Sequence, residues 1–231
     1  MSRLTRNSLT FFFLICPQSL NLLRLLNSMF KLFLLFLFGY LLGSIPSGYL
    51  ISKNKGVDIR KVGSGNIGGT NIARTFGLKL GIAVGILDVF KGIIPTYLAI
   101  VFLSSNWQIA LVAVAPTLGH IFPVWLKFKG GKGVSTAFGA LLVLLQWKYI
   151  LILILIWISA IIAFKIVSFA SLSAASFVPL TLWMAFHSLS YFVLGLVFFI
   201  LIWWAHRENI ERIKNKTESR FKFKKSSDNN K

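Results

Sequence analysis

The sequence predicts an all-α fold, a polytopic helical membrane protein with about seven transmembrane helices, the amino end outside and the carboxyl end cytoplasmic. Three observations lead there. The chain is 56% hydrophobic, with 22 Phe in 231 residues and a mean hydropathy of +0.75, where a soluble domain has about 45–50% apolar residues. Apolar runs of helical length alternate with short polar segments. Lys and Arg, 25 against 6 Asp and Glu, crowd some connections and are absent from others.

The first span runs from Phe30 to Ile51 and is broken near its end by Gly43, Pro46 and Gly48. The second covers Leu78–Leu103 and the third Trp107–Leu126. Val134–Leu145 is shorter than the roughly 20 residues that cross hydrocarbon unaided, so it reads as a short or re-entrant span. Tyr149–Ala163, Val167–Phe186 and Leu189–Ala205 complete the set.

Orientation follows from the cations. Lys53, Lys55, Arg60, Lys61, Arg74 and Lys79 lie between the first two spans, Lys127, Lys129 and Lys132 follow the third, and the tail is basic throughout, whereas Ser104–Asn106 and His187–Ser188 carry no cation. The basic side is read as cytoplasmic. A net charge of +19 distributed in this way argues against nucleic acid as a partner. The single cysteine, Cys16, builds neither a disulfide framework nor a thiolate metal site.

Three regions are expected: an extension over residues 1–28, an integral membrane domain over 29–221, and a disordered basic tail over 222–231. The extension superficially resembles a signal peptide, with Arg3 and Arg6 ahead of an apolar run, but no small-x-small cleavage site follows. Met29, directly before Phe30, Lys31 and the first span, reads as the true start. The alternative is a disordered or interfacial extension.

The polar segments hold the chemistry. In Gly63–Arg74 (GSGNIGGTNIAR), Gly63, Gly65, Gly68 and Gly69 permit turns with positive φ, Ser64, Asn66, Thr70 and Asn71 supply hydroxyl and amide groups, and Arg74 adds a two-pronged donor. In Lys127–Ser135 (KFKGGKGVS) the nucleotide-binding pattern G-x-x-x-x-G-K-[ST] fails twice, at Leu126 and at Gly133. What survives is Lys132 among Gly130, Gly131 and Gly133, a loop opening a helix whose N-terminus attracts anions. Lys127 and Lys129 read as topology-setting and headgroup contacts. His120, at the end of the third span, fits a structural histidine as well as a functional one.

The third segment follows Trp203 and Trp204. His206 and Asn209 are spaced i, i+3, hence on one face of a helix continuing from the last span. Inside the second span, Asp88 and Lys91 share the same spacing and form an ion pair toward the bundle interior or toward a substrate cavity. The six carboxylates are scattered, so no metal cluster is expected. Phosphate recognition without a metal points to acyl transfer from an activated donor, with a small-anion membrane transporter as the alternative; a transporter would place its groups near the bilayer midplane.

The ordered motifs GSIP, DIR, GSGNxGxTNxxR, GHxFPxxLxFKGGKG and HRENI with a later T-E resemble the bacterial acyl-phosphate:glycerol-3-phosphate acyltransferases over about Met29 to Phe221. The resemblance implies transfer of a fatty acyl group from acyl phosphate to the 1-hydroxyl of sn-glycerol 3-phosphate, giving lysophosphatidic acid and phosphate, at the start of phospholipid synthesis. It implies a multi-pass protein of the bacterial inner membrane with its site on the cytoplasmic face. No cofactor and no metal are implied, and the soluble enzyme that makes the acyl phosphate is a candidate partner. Catalytic roles fall on Ser64, Arg74, Lys132, His206 and Asn209. Substrate binding falls on Gly63, Gly65, Asn66, Thr70, Asn71, His120, Gly130, Gly131 and Gly133, and a structural role on Glu218. The proton acceptor is His206 or a substrate phosphate oxygen. Two positions depart from the family pattern: Gly69 replaces the usual Ala, and Lys216 a usual Gly that precedes the Thr/Arg-Glu pair.

Overall fold

The computed structural model describes the backbone of residues 4–220 and the side chains of residues 21–220; the basic tail expected at 222–231 lies outside the described residues. Ten α-helices and two short 3-10 turns make up the described chain, with no strand among its residues. The helices are α1 (Leu4–Ser44), α2 (Ser47–Asn54), α3 (Gly69–Phe76), α4 (Leu78–Phe102), α5 (Asn106–Ile121), α6 (Val134–Leu144), α7 (Trp147–Phe164), α8 (Val167–Phe186), α9 (Leu189–Ala205) and α10 (Arg207–Lys214).

The ends are set by identifiable residues. Pro46 lacks an N–H and disfavours helix at Ile45, so α1 stops at Ser44 and the predicted first span divides into α1 and α2. The α1 helix also takes in much of the segment expected as a separate extension. The predicted third span shortens, because α5 ends at Ile121 and Val124–Leu126 forms a 3-10 turn after Pro123. Lys165 and His187, both left-handed at φ 57° and 48°, close α7 and α8.

Five of the described stretches are long and apolar enough to cross a membrane, and a sixth joins them if α9 and α10, bent by 59°, are taken together. The 11-residue α6 rises roughly 16 Å, half the hydrocarbon thickness. It avoids lipid by packing inward against α4 with Thr136, Ala137, Gly139 and Ala140 buried.

Small residues let these helices approach backbone to backbone, as lipid-embedded packing requires. A Cβ on Gly43 would sit 2.1 Å from the Pro116 carbonyl oxygen, and one on Gly92 2.0 Å from that of Thr136. Around these contacts, residues of α4, α5, α6, α8 and α9 form the main apolar core, with Val112, Leu182 and Phe198 fully buried. The outward faces keep large apolar side chains exposed, among them Phe33, Phe90 and Ile162, as a lipid-solvated bundle must.

Candidate functional site at one end of the bundle

Because α1, α5, α7 and α9 run one way and α4, α6 and α8 the other, the connections carrying the three polar segments collect at the same end. There they open on a cavity of about 460 Å³.

The first segment owes its shape to Asn71, which is 1% exposed. Its Oδ1 accepts from the Ser64 N–H at 3.0 Å, and its Nδ2 donates to the carbonyls of Val62 and Asn66, both at 2.9 Å, and of Ile59 at 3.3 Å. The amide is therefore consumed by backbone. Asn71, expected to bind substrate, lines the cavity but spends its amide on backbone, holding the loop that presents the Ser64 hydroxyl, which has no partner among the described residues. Gly63 and Gly65 take φ of 62° and 71°, whereas Gly68 and Gly69 do not need the left-handed region. Gly69 serves a close approach instead, since a Cβ there would lie 2.6 Å from the Gly81 carbonyl oxygen. Gly68, Gly69 and Thr70 bring the N-terminus of α3 to the cavity, with Asn66 and Arg74 beside it. The Arg74 side chain is exposed and makes no ion pair among the described residues.

The second segment adds another helix N-terminus. Gly133, at φ 74°, caps α6, and Gly133, Val134 and Ser135 line the cavity beside Lys132. Two helix starts with unpaired N–H groups thus face one space, an arrangement suited to two anions. Gly130 and Gly131 do not line it, nor do Gly63 and Gly65. Expected as substrate-binding residues, these four shape the loops. The Gly130 and Gly131 N–H groups donate to Ile121 and His120 carbonyls at 3.1 and 3.0 Å, and a Cβ on Gly131 would lie 2.1 Å from His120 Nε2. His120, 6% exposed, therefore props this loop from below, with its Nδ1 3.7 Å from Asp88 Oδ1. Asp88 reaches the cavity wall and pairs with Lys91 at 2.6 Å; Lys91 also donates to the Ile45 carbonyl at the α1–α2 break, at 2.6 Å. The intramembrane pair does face the bundle interior.

The third segment differs from expectation at one point. The chain bends by 59° at His206, so His206 and Asn209 do not share one continuous helix, yet both line the cavity. His206 is 2% exposed, and its Nδ1–H donates to the Ile202 carbonyl at 2.8 Å, leaving the Nε2 lone pair as an acceptor. Burial, reinforced by the Lys132 charge, holds its pKa down at about 4, so the ring is neutral near pH 7. Asn209 accepts from Lys132 Nζ through Oδ1 and donates through Nδ2 to Glu218 Oε1 at 2.6 Å. Glu218 also accepts from Ser168 Oγ at 2.8 Å and Arg212 Nε at 2.7 Å. Burial raises the Glu218 pKa, but these three donors together bring it below the usual carboxylate value. Lys132 is pulled down to about 8 by burial, with the Arg212 and Arg74 charges adding to the fall and Glu218 opposing it.

Ser168 and Arg212 were not expected from sequence. A lone Ser in an apolar helix and an Arg in a charged turn carry no local signal; only the fold brings them to Glu218. Beyond the polar end the cavity continues between α6, α7, α8 and α9, lined by Ala137, Leu141, Leu153, Trp157, Val178 and Phe198.

A bundle whose cavity joins two anion-ready helix starts to an apolar channel belongs to the class of integral membrane enzymes that act on phosphate-bearing amphiphiles. Known proteins make this specific. Residues 33–216 match the family model described as glycerol-3-phosphate acyltransferase. The glycerol-3-phosphate acyltransferase of Prochlorococcus marinus (strain NATL2A) is 45% identical over 186 residues, covering 78% of this chain and 93% of that protein. That of Aquifex aeolicus (strain VF5) is 41% identical over 192 residues, covering 83% of this chain and all of the relative. The crystal structure of PlsY (YgiH), an integral membrane glycerol 3-phosphate acyltransferase in its glycerol 3-phosphate form, superposes with a TM-score of 0.79 at 40% identity, over 83% of this chain and 96% of that one. Its lysophosphatidic acid form gives 0.76 at 39% identity. The chain belongs to the glycerol-3-phosphate acyltransferase family.

Proposed function

We propose that this protein transfers a fatty acyl group from acyl phosphate to the 1-hydroxyl of sn-glycerol 3-phosphate, releasing 1-acyl-glycerol 3-phosphate and phosphate. The observation that carries this reading is the single cavity in which Arg74, Lys132 and the first turns of α3 and α6 meet at the polar end of an apolar channel. Two phosphates fit the polar end and one acyl chain the rest.

In the reaction the glycerol hydroxyl oxygen attacks the acyl carbonyl carbon directly. An ester bond forms, the carbon–oxygen bond to phosphate breaks, and the phosphate leaves with the bonding pair. Arg74 and Lys132 hold the phosphates and balance the charge growing on the leaving group, while the Ser64 hydroxyl and the helix N–H groups supply donors. Asn209 acts as a positioning residue: with Nδ2 committed to Glu218, its Oδ1 faces Lys132 and aims the ammonium. The hydroxyl proton passes to a substrate phosphate oxygen, whose second pKa of about 6 makes it the better base. His206, held at about 4, serves as a neutral acceptor clamp for a substrate hydroxyl.

The site lies on the cytoplasmic face of the bacterial inner membrane, with the amino end outside. Support comes from Lys53, Lys55, Arg60, Lys61, Lys127 and Lys129 at the site end, against Lys148 in the opposite connections. A water-soluble co-substrate and a soluble enzyme delivering acyl phosphate are reached from that face. Seven crossings are counted with α6 as a short one.

The test supplies purified protein with acyl phosphate and glycerol 3-phosphate, without metal or CoA. Lysophosphatidic acid should form at a rate that Arg74→Ala cuts by roughly two orders of magnitude. No product from intact protein overturns the reaction, and an unchanged Arg74→Ala rate overturns the site.

A further inference from the structure

The turn leading into the Lys132 loop is strained and faces outward. Lys127 and Phe128 are consecutive non-glycine residues in the left-handed region, at φ 52° and 61°. The turn is held by the Pro123 carbonyl, which accepts from Leu126 and Phe128 N–H groups at 3.1 and 3.0 Å. This conformation does not bury the ring: Phe128 is 59% exposed and Trp125 62%. The Phe128 backbone is held against its preference while its ring, like that of Trp125 in the preceding 3-10 turn, stays exposed, which implies that something outside the protein receives them.

The surroundings identify the recipient. Phe122 packs on Trp204, ring centroids 5.0 Å apart, which joins this turn to the end of α9. Trp204 is 47% exposed, and the Arg207 guanidinium lies 4.3 Å over its ring. Lys127, Lys129 and Arg207 are exposed, and none pairs with a carboxylate among the described residues; Glu208, the nearest acid in sequence, faces Arg212 at 3.9 Å. The aromatic rings continue the apolar belt of α9, where Ile200 and Trp203 are also exposed. Rings at the acyl boundary with cations beside them match a phospholipid surface, and unpaired cations select an anionic headgroup over a zwitterionic one.

We infer that the rim formed by Trp125, Lys127, Phe128, Lys129, Trp204 and Arg207 is a docking surface for anionic phospholipid headgroups, and that its occupation steadies the catalytic loop. The link is short: Lys132 lies three residues after Lys129, and His206 directly precedes Arg207. The inference rests on the reading that the polar segments lie at a membrane surface.

The experiment compares the full chain in nanodiscs of phosphatidylcholine alone and with roughly a third phosphatidylglycerol, reading kcat/KM for glycerol 3-phosphate and thermal unfolding. Phosphatidylglycerol should raise kcat/KM at least about threefold and the unfolding temperature by about 2–4 °C. K127Q/K129Q/R207Q should keep the phosphatidylcholine rate and lose both responses. The same response in the triple variant as in wild type overturns the inference, as does no response in wild type. Stimulation by polyglutamate in neutral nanodiscs without any response to phosphatidylglycerol also overturns it and assigns the rim to an acidic protein. The unfolding measurement reads the rim even if acyl transfer fails, so loss of the proposed reaction is distinguishable.

Discussion

At the scale of single residues, Lys132 and Lys216 show how far type and position can diverge in what they reveal. Lys132 between glycines is proposed as a phosphate ligand from its residue type, but its lowered pKa, about 8, comes from burial and from cations on other segments. Its ammonium is present below that value and lost above it. Activity with the free enzyme, read as kcat/KM against pH, should therefore fall above pH 8, and Lys132→Arg should remove that alkaline limb because guanidinium stays charged. A limb that persists in the Arg variant would assign it to another group. Lys216 sits at φ 58°, in the turn where the family pattern has Gly. Left-handed backbone costs a side-chain-bearing residue about 1–2 kcal/mol, partly offset in Gly by its greater unfolded-state freedom. Lys216→Gly should thus stabilise the protein by about 0.5–1 kcal/mol, seen as a higher unfolding temperature with unchanged KM.

At the scale of elements, the helices were readable because 20-residue apolar runs and proline breaks are local properties, and most helix bounds fall within a few residues of the predicted spans. The exceptions have physical causes. Pro46 and Pro123 each ended a helix before the apolar run ended, and His206 became a bend instead of one turn among others. The role of Asp88 and Lys91 also emerges only between elements, since Lys91 joins α4 to the break after α1 while cancelling a carboxylate on the wall of the proposed phosphate-binding cavity. Lys91→Met should cost about 3–5 kcal/mol and raise KM for the phosphate substrates by leaving Asp88 unpaired. Asp88→Asn/Lys91→Met should recover most of both losses, measured by unfolding in detergent and by initial rates. A double variant no better than the single one would show that the cost lies in the lost Ile45 contact.

At the scale of the whole molecule, Glu218 is the latch. It ties α8 through Ser168, α10 through Asn209 and Arg212, and the Lys132 loop through Asn209. Glu218→Gln should weaken a charged contact by about 2 kcal/mol and lower kcat/KM by releasing Lys132. Because the folded-state pKa lies below the usual value, the carboxylate's stabilisation is fully present above its unfolded pKa of 4.5 and is lost as pH falls through the folded value. Unfolding temperature should therefore drop on acidification more steeply in wild type than in the Gln variant. Equal slopes would remove Glu218 from this role.

The sequence by itself determined the membrane-spanning helices and which residue types handle anions, because hydropathy, glycine and charge act through neighbours in the chain. It also named Ser64, Arg74, Lys132 and His206, which the fold brings to one cavity. Only the tertiary structure decided who meets whom: that Asn71 and His120 brace loops from the cavity wall, that Asn209 bonds Lys132, that Gly63, Gly65, Gly130 and Gly131 stay out of the cavity, and that Ser168 and Arg212 meet at Glu218. These roles depend on which hydrogen-bonding groups are already spent and on how burial moves a proton equilibrium, and both are set by residues up to 77 positions apart in the chain.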